Sequence, residues 1–284
     1  MDCPDPLQQW LEMLLLAHKP PPPLSDFVDL IWLCEDYSVP HAKERLLPDG
    51  TVELVVNLKE DRVRVYDSRD PQQFHTIPGC VVSGPRSEFF VIDTEGASAT
   101  VGVHFKPGGA FPFFGMPPSE LNNQSVALED LWGTASRRLR ERLLEAESVE
   151  AKFRAVELSL LEQLTRPLER HPAVTFALRQ FFGFAQQPVS RVVEQVGFSQ
   201  RRFIQLFNDE VGLTPKLFCR VRRFQRVVRR LALAGEVNWA QMAVDCGYYD
   251  QAHFIHDFQA FAGITPSDYL QQRTQHVNHV PMAG

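Results

Sequence analysis

The chain has 284 residues, of which 44% are hydrophobic, so it can form two ordinary domains with a buried core in each. A net charge of −6 argues by itself against a nucleic-acid partner, but the charge is uneven: from His171 onward there are 12 Lys/Arg and 8 Asp/Glu, against 17 and 27 before it. Such asymmetry is typical of an acidic module joined to one that binds a polyanion.

Cysteine spacing and hydropathy exclude several other classes. The five cysteines are scattered, which argues against a zinc knuckle and indicates free thiols in a reducing compartment. Acidic residues (Asp2, Asp5 and Glu12) precede or interrupt the N-terminal apolar run, which argues against a signal peptide. No apolar stretch is long enough to cross a bilayer. We therefore expect a cytoplasmic protein with no membrane partner and no cofactor.

The first half predicts β-structure. Apolar and polar residues alternate in TVELVVNL (Thr51–Leu58) and again in RVRVY (Arg62–Tyr66), and KED lies between them as a turn. This pattern predicts a hairpin. Further short strands, CVVSG, EFFVID and ATVGVHF, are separated by Pro and Gly turns, which favours a small barrel or sandwich. From Ala127 apolar residues recur at helical spacing up to Leu164, in helices that either cover the sheet or pair with a second subunit. TRPLERHP (Thr165–Pro172) is the predicted domain boundary.

The second half contains an internal repeat, Val189–Pro215 and Trp239–Pro266. Each copy has a short amphipathic helix, a Gly-aromatic pair, a polar residue that can begin a second helix, and two Phe four residues apart on that helix. Each copy closes with Gly-x-Thr-Pro. The glycine between the helices allows a positive φ, so each copy predicts a helix-turn-helix unit.

Two histidines on the second helix of the second copy, His253 and His256, raise the question of a metal site. Asp250 or Asp257 could supply a third ligand. The first copy has Arg202 and Gln205 at the equivalent positions, a replacement that suits residues facing a DNA groove and does not suit metal ligands. We therefore interpret the histidines as groove-facing residues and expect no metal.

The segment between the copies (Thr214–Ala234) predicts a long helix of 21 residues with one apolar stripe. It carries seven Lys/Arg and no acid, and arginine suits bidentate phosphate contact. The predicted DNA contacts are Gln200, Arg201, Arg202 and Gln205 in the first copy, Arg220, Arg222 and Arg226 on the linker helix, and Asp250, Gln251, His253 and His256 in the second copy.

The C-terminal part closely resembles the double helix-turn-helix DNA-binding domain of AraC/XylS-type transcription regulators. The matching stretches are VGFSQRRFIQLF, GLTPKLFCRVRRFQRV and DCGYYDQAHFIHDFQAFAGITPSDYL. The N-terminal half, through ERLLPDGTVELVVNL, GVHFKPGGAFPFFGMP and LEDLWG, looks like the cupin-like sensor half of some of these regulators. Where that pattern would place a His-x-His metal motif, His104 is followed by Lys106, so we expect a metal-free sensor domain.

The resemblance implies an α+β chain, with a cupin-like β-barrel sensor or dimerisation domain and its helices at 1–168, a double helix-turn-helix domain joined by a long linker helix at 169–275, and a tail at 276–284. It implies a regulator that binds double-stranded promoter DNA, with RNA polymerase, a small-molecule effector and a second copy as further partners. We expect an activator, although the residues themselves do not distinguish an activator from a repressor. Glu53, Arg86 and His104, polar residues on or beside apolar strands, are the candidate effector contacts.

Two other classes of function compete with this interpretation. A DNA-directed enzyme, for example one that transfers an alkyl group to a cysteine, would need an activated thiol at Cys34 or Cys80, and neither lies in a His- or Lys-rich segment. A scaffold that pairs through Leu139–Leu164 would leave the repeat and the arginine-rich helix without a role.

Overall fold

The computed structural model describes residues 15–35, 39, 41–68, 70–94, 99–182, 187–274 and 276–282. The acidic residues that argue against a signal peptide, Asp2, Asp5 and Glu12, lie outside these residues.

The β-domain contains three antiparallel sheets, and its core lies against the largest of them. The largest has the order β1-β2-β9-β4-β7-β10, with β1 Leu15–His18, β2 Val28–Glu35, β4 Glu53–Asn57, β7 Cys80–Ser83, β9 Ala99–Phe105 and β10 Ser125–Ala127. A second sheet has the order β11-β3-β8, with β3 Lys43–Leu46, β8 Phe90–Asp93 and β11 His279–Pro281. A third contains β5 Arg62–Tyr66 and β6 Phe74–Pro78. The expected N-terminal β-domain is confirmed.

The predicted hairpin between β4 and β5 is wrong. Strand β4 pairs with β7 and β9, whereas β5 pairs with β6. The side chain of Asn57, at the end of β4, accepts hydrogen bonds from the backbone N–H groups of Lys59 and Glu60. This tight turn directs the chain out of the large sheet. The alternating pattern correctly predicted both strands but not their partners.

The helices after β10 cover the large sheet. They are α1 Leu128–Trp132, α2 Thr134–Glu145 and α3 Val149–Glu162. Leu139, Leu143, Phe153, Val156 and Leu160 are buried in the same core cluster as the strands, as their spacing predicted. The sequence left open whether these helices cover the sheet or pair with a second subunit. The packing shows that they cover the sheet.

The second half is helical as far as Gln272 and contains two helix-turn-helix units. Its helices are α4 Pro172–Phe182, α5 Val189–Val196, α6 Gln200–Val211, α7 Pro215–Ala232, α8 Trp239–Asp245, α9 Gln251–Ala262 and α10 Pro266–Gln272. Gly197 and Gly247, in the turns of the two units, have φ of 74° and 80°, the left-handed conformation that the repeat required of them. The α+β architecture with a long linker helix is confirmed.

The linker helix α7 is slightly shorter than the sequence predicted, since it ends at Ala232. The guanidinium of Arg273 donates hydrogen bonds to the carbonyls of Leu231 and Ala234 at 2.7 and 2.9 Å. These bonds satisfy carbonyls that an ending helix leaves free. With 18 residues, α7 is about 27 Å long.

The segment after α10 returns to the β-domain and joins its second sheet. Strand β11 pairs with β3, and the buried carboxylate of Glu44 on β3 lies 2.6 Å from Nε2 of His41 and 2.7 Å from Nδ1 of His279. Gln225 on α7 donates to the carbonyl of Pro48 at 2.9 Å and to Oδ1 of Asn278 at 3.0 Å. The predicted tail is therefore a strand that ties the helical half to the β-domain.

Val280, on β11, is fully buried in the core of the helical half, so the tail should contribute to stability. We expect Val280→Ala to lower the free energy of unfolding by about 1–2 kcal/mol, because two methyl groups leave a packed site. The check is urea denaturation against Gln271→Ala, an exposed position on α10 in the same part of the chain. Equal midpoints for the two variants would show that β11 adds nothing.

Candidate nucleic-acid interface and ligand cavities

Helix α6 presents the polar face that the first repeat predicted. Ser199 begins the helix by accepting a hydrogen bond from the backbone N–H of Arg202. Phe203 and Phe207 are fully buried beneath it. The predicted contact residues Gln200, Arg201, Arg202 and Gln205 are all exposed. The Gln205 amide already donates to both carboxylate oxygens of Asp209, at 2.9 and 3.1 Å, so it must exchange this pair to bind a base.

Helix α9 presents the corresponding face of the second unit. Gln251, His253 and His256 are exposed, and Phe254 and Phe258 are fully buried. Asp250 begins the helix, and its carboxylate accepts from the backbone N–H of His253 at 2.7 Å. The first role of Asp250 is therefore to cap α9, which limits its freedom to contact a base.

The surroundings of the two histidines on α9 bear on the question of a metal. No group of three His, Cys, Asp or Glu among the described residues is placed to hold a metal ion. His253 stacks edge-on against Tyr248, and its Nε2 lies 4.0 Å from the buried carboxylate of Asp257. His256 has an exposed ring on the same helix.

Tyr249 is a surface feature that the repeat comparison missed. It lies in the turn before α9 and is 90% exposed. The second unit has one more residue than the first between the turn glycine and the cap, and this extra residue is what places a second aromatic ring in the turn. An exposed aromatic at this point lies beside the predicted groove-facing residues.

The cations of α7 do not all face the same surroundings. Arg220 donates to the buried carboxylate of Asp257 at 2.6 Å, and Arg223 donates to the carbonyl of Gly247 at 2.9 Å. Arg230 pairs with exposed Asp245 at 3.0 Å. These three arginines hold the second unit against the linker helix, a structural role that composition alone did not reveal.

Arg222 is half-buried beside the β-domain, and its assignment as a phosphate contact stays a prediction. Its guanidinium carbon is 4.3 Å from the ring centre of Phe182, and burial lowers its pKa to about 10. It lines a cavity of about 370 Å³ together with Arg170, Arg229, Asp29 and Asp49. Arg226 is half-buried on the same helix and stays a predicted contact.

The three candidate effector contacts in the β-domain line one cavity of about 430 Å³. Glu53, Arg86 and His104 share its wall with Trp32 and several valines. The carboxylate of Glu53 accepts from Nε1 of Trp32 at 2.9 Å, and burial raises its pKa. Nδ1 of His104 lies 4.0 Å from Glu53, and its Nε2 lies 3.4 Å from Asp49.

The thiols proposed for the enzyme alternative are buried. Burial raises the pKa of Cys80, whose Sγ lies 4.0 Å from the carbonyl of Ser136. A nucleophilic cysteine needs the opposite shift. Cys34 is also buried, on β2.

Among the described residues, no helix has the length and apolar character that crossing a bilayer requires.

Each half of the chain is similar to a different known protein family. Residues 16–127 match a domain of unknown function (DUF6597), and residues 192–272 match a helix-turn-helix domain. XylDLEGF operon transcriptional activators 1 and 3 of Pseudomonas putida are each 30% identical over 87 residues, 30% of this chain and 26% of the activator. The chain thus matches about a quarter of the length of these curated relatives.

Solved structures with a similar course of the chain include ToxT from Vibrio cholerae, with a TM-score of 0.44 and 10% identity over 90% of this chain and 98% of that one. An AraC-type DNA-binding domain-containing regulator from Chromobacterium violaceum gives a TM-score of 0.33 and 24% identity over 37% of this chain and 94% of that one. The family match over residues 192–272 and the repeated helix pair described above identify this part of the chain as a helix-turn-helix domain.

Proposed function

We propose that the chain is a sequence-specific DNA-binding transcription regulator, an activator that responds to a small molecule. The observation that supports this most directly is the repeated unit: α6 and α9 each begin at a side-chain cap, bury a Phe pair and expose a polar face. A helix of this kind fits the major groove, where Arg and Gln side chains read base edges. Matching activators of transcription support the same direction of regulation.

The effector site that we propose is the cavity of the β-domain. Its volume of about 430 Å³ lies in the range of small-molecule sites, and it combines apolar walls with polar and charged side chains of both signs. We propose the cytoplasm as the location, because a regulator must reach promoter DNA. We propose RNA polymerase and a second copy of the chain as partners on the resemblance to AraC/XylS regulators alone. The proposed domain boundaries, after residues 168 and 275, rest on the same resemblance.

The first test is selection of bound sequences from random duplex DNA, followed by footprinting of the selected site. We expect two protected segments on one face of the duplex, in successive major grooves. Recovery of unselected sequence after repeated rounds, with no footprint, would contradict the proposal.

On the selected site, α6 should contribute more to affinity than α9. Arg201→Ala is expected to weaken binding by about 1–3 kcal/mol, because one arginine–base contact is worth that much discrimination. His253→Ala should cost less, since the neighbouring carboxylates Asp250 and Asp257 oppose an approaching phosphate. Affinities at low and high salt provide the check, with unchanged melting temperatures as the control for folding. Equal losses from both substitutions would refute this order.

A further inference from the structure

A row of polar side chains crosses four neighbouring strands of the large sheet and faces the β-domain cavity. His104 on β9 pairs with Glu53 on β4, Glu53 with Ser83 on β7, and Ser83 with Ser125 on β10. All four line the cavity. Neighbouring strands lie about 4.8 Å apart, so the row is about 14 Å long. One end of the row, the acidic end, carries His104 and Glu53, and the other end carries Ser83 and Ser125.

Arg86 closes the serine end of this row and brings a buried positive charge. Only 7% of the residue is exposed. Its Nε donates to Oγ of Ser83 at 3.1 Å, and its two other nitrogens donate to Oγ of Ser125 at 2.6 Å and to the carbonyl of Asn123 at 3.2 Å. These bonds use three of the five N–H donors of a guanidinium.

The guanidinium carbon of Arg86 also lies 3.9 Å from the ring centre of Phe90, and the exposed Glu88 is the carboxylate that acts on it, from beyond the distance of an ion pair. Burial lowers the pKa of Arg86 to about 10, so the group is still charged at neutral pH. A buried cation whose bonds all go to neutral oxygens has lost hydration without gaining a counter-ion. A ligand anion would supply that counter-ion through a charge-assisted hydrogen bond.

The acidic end of the row suits a neutral or hydrogen-bond-donating part of the same ligand. Glu53 is half-buried beside Trp32, whose Nε1 donates to its carboxylate at 2.9 Å, and burial raises its pKa. The walls between the two ends include Val55, Val81 and Val91. The chemistry that fits is a small organic anion with an apolar body.

The loop that carries Arg86 also touches both helix-turn-helix units. Gly212, which ends α6, lies so close to Pro85 that an added Cβ would be 2.3 Å from its Cγ. Gly263, which ends α9, is equally close to Phe89, with 2.2 Å from an added Cβ to the ring. The backbone N–H of Phe89 also donates to the carbonyl of Phe261 at 2.9 Å. One short loop (residues 84–90, the coupling loop) thus contacts the C-terminal end of each groove-facing helix.

We propose that the cavity binds a small organic monoanion, such as a carboxylate, at Arg86, and that the coupling loop transmits this binding to the spacing of the two helix-turn-helix units. The proposal rests on the proposed function, because it names the ligand class and the regulation of the same cavity. When the anion draws Arg86 away from Ser83 and Ser125, Pro85 and Phe89 move with it. Their contacts with Gly212 and Gly263 leave no free space, so both helix ends must follow.

The ligand class is tested on the full chain with hexanoate and cyclohexanecarboxylate as probes, against the two corresponding amides. We expect the carboxylates, but not the amides, to raise the melting temperature by a few degrees. Arg86→Met should abolish that shift, and Arg86→Lys should retain part of it, because it keeps the charge. Equal shifts for acids and amides, equal shifts in Arg86→Met, or no shift with either carboxylate would overturn the assignment of an anion site.

The coupling is tested by DNA affinity on the selected site with and without the carboxylate. We expect about a tenfold change in the wild-type protein, within the usual range of allosteric coupling. Phe89→Ala should keep the thermal shift and lose the DNA response. The matched control is Phe74→Ala, which removes an exposed ring on β6 and should keep both.

The outcomes separate this proposal from the function on which it rests. Absence of sequence-specific DNA binding, with a carboxylate shift that depends on Arg86, would refute the proposed function and leave the anion site standing. Specific DNA binding whose response is the same in Phe89→Ala and Phe74→Ala would refute the coupling loop and leave the function standing.

Discussion

Inserting five base pairs between the two contacted segments of the selected DNA site is expected to weaken binding by about a hundredfold or more. Five base pairs are half a turn of B-DNA, so one segment rotates to the opposite face of the duplex. The two units are joined by α7, a continuous helix of 18 residues, and cannot follow that rotation. The second unit then loses the high effective concentration that the first provides, which accounts for the size of the loss.

The length of α7 makes the spacing specific. At about 27 Å it is shorter than the 34–36 Å between equivalent positions in successive grooves, so bending of the DNA or partial insertion of α9 must supply the difference. The control is a site whose spacer has the same length as in the selected site but a scrambled sequence. It should bind almost as well as the selected site. Affinity that survives the insertion would rule out binding in two successive grooves.

Arg220→Ala is expected to lower the free energy of unfolding by about 3 kcal/mol. Arg220 donates to Asp257, whose side chain is only 3% exposed, so its removal leaves a buried carboxylate without its partner. It also removes the contact of the guanidinium with the ring of Phe261, at 5.2 Å. Urea denaturation measures the loss, and DNA binding at low temperature shows whether the residue also contacts phosphate.

Arg230→Ala is the matched control for that substitution. Arg230 lies on the same helix and is also ion-paired, but its side chain and that of Asp245 are both more than 40% exposed. Exposed pairs contribute about 0–1 kcal/mol. Combining Arg220→Ala with Asp257→Asn should restore part of the lost stability, because the unpaired charge is gone. If Arg220→Ala costs no more than Arg230→Ala, the buried pair has no structural role.

The local elements of this protein follow from sequence, and their partners largely do not. Phe203, Phe207, Phe254 and Phe258 predicted the buried faces of α6 and α9 correctly, because a four-residue interval fixes one side of a helix. The hairpin failed at Asn57, since a side chain that bonds two backbone N–H groups can turn the chain out of a sheet. The alternation of apolar residues does not indicate which strand each strand pairs with.

The candidate site shows the same division. The exposed residues of α6 were predicted because the repeat places them opposite the Phe pair. The position of Arg222 was not, since a run of arginines on one helix does not say which of them another domain will cover. Glu53, Arg86 and His104 were chosen as polar residues near apolar strands, and only the register of the sheet shows that they meet in one cavity.

The docking of β11 on β3 has a consequence for any attempt to divide the chain into fragments. A fragment that stops near residue 168 would keep β3 but lose the strand that pairs with it, together with the His279 partner of the buried Glu44. It would expose an unpaired strand edge, a common template for aggregation. A helical fragment would expose the faces of Gly212 and Gly263, and one that stops before β11 would also lose Val280 from its core. Both halves therefore share β11, since the N-terminal fragment needs its backbone to complete a sheet and the helical fragment needs Val280 to complete its core.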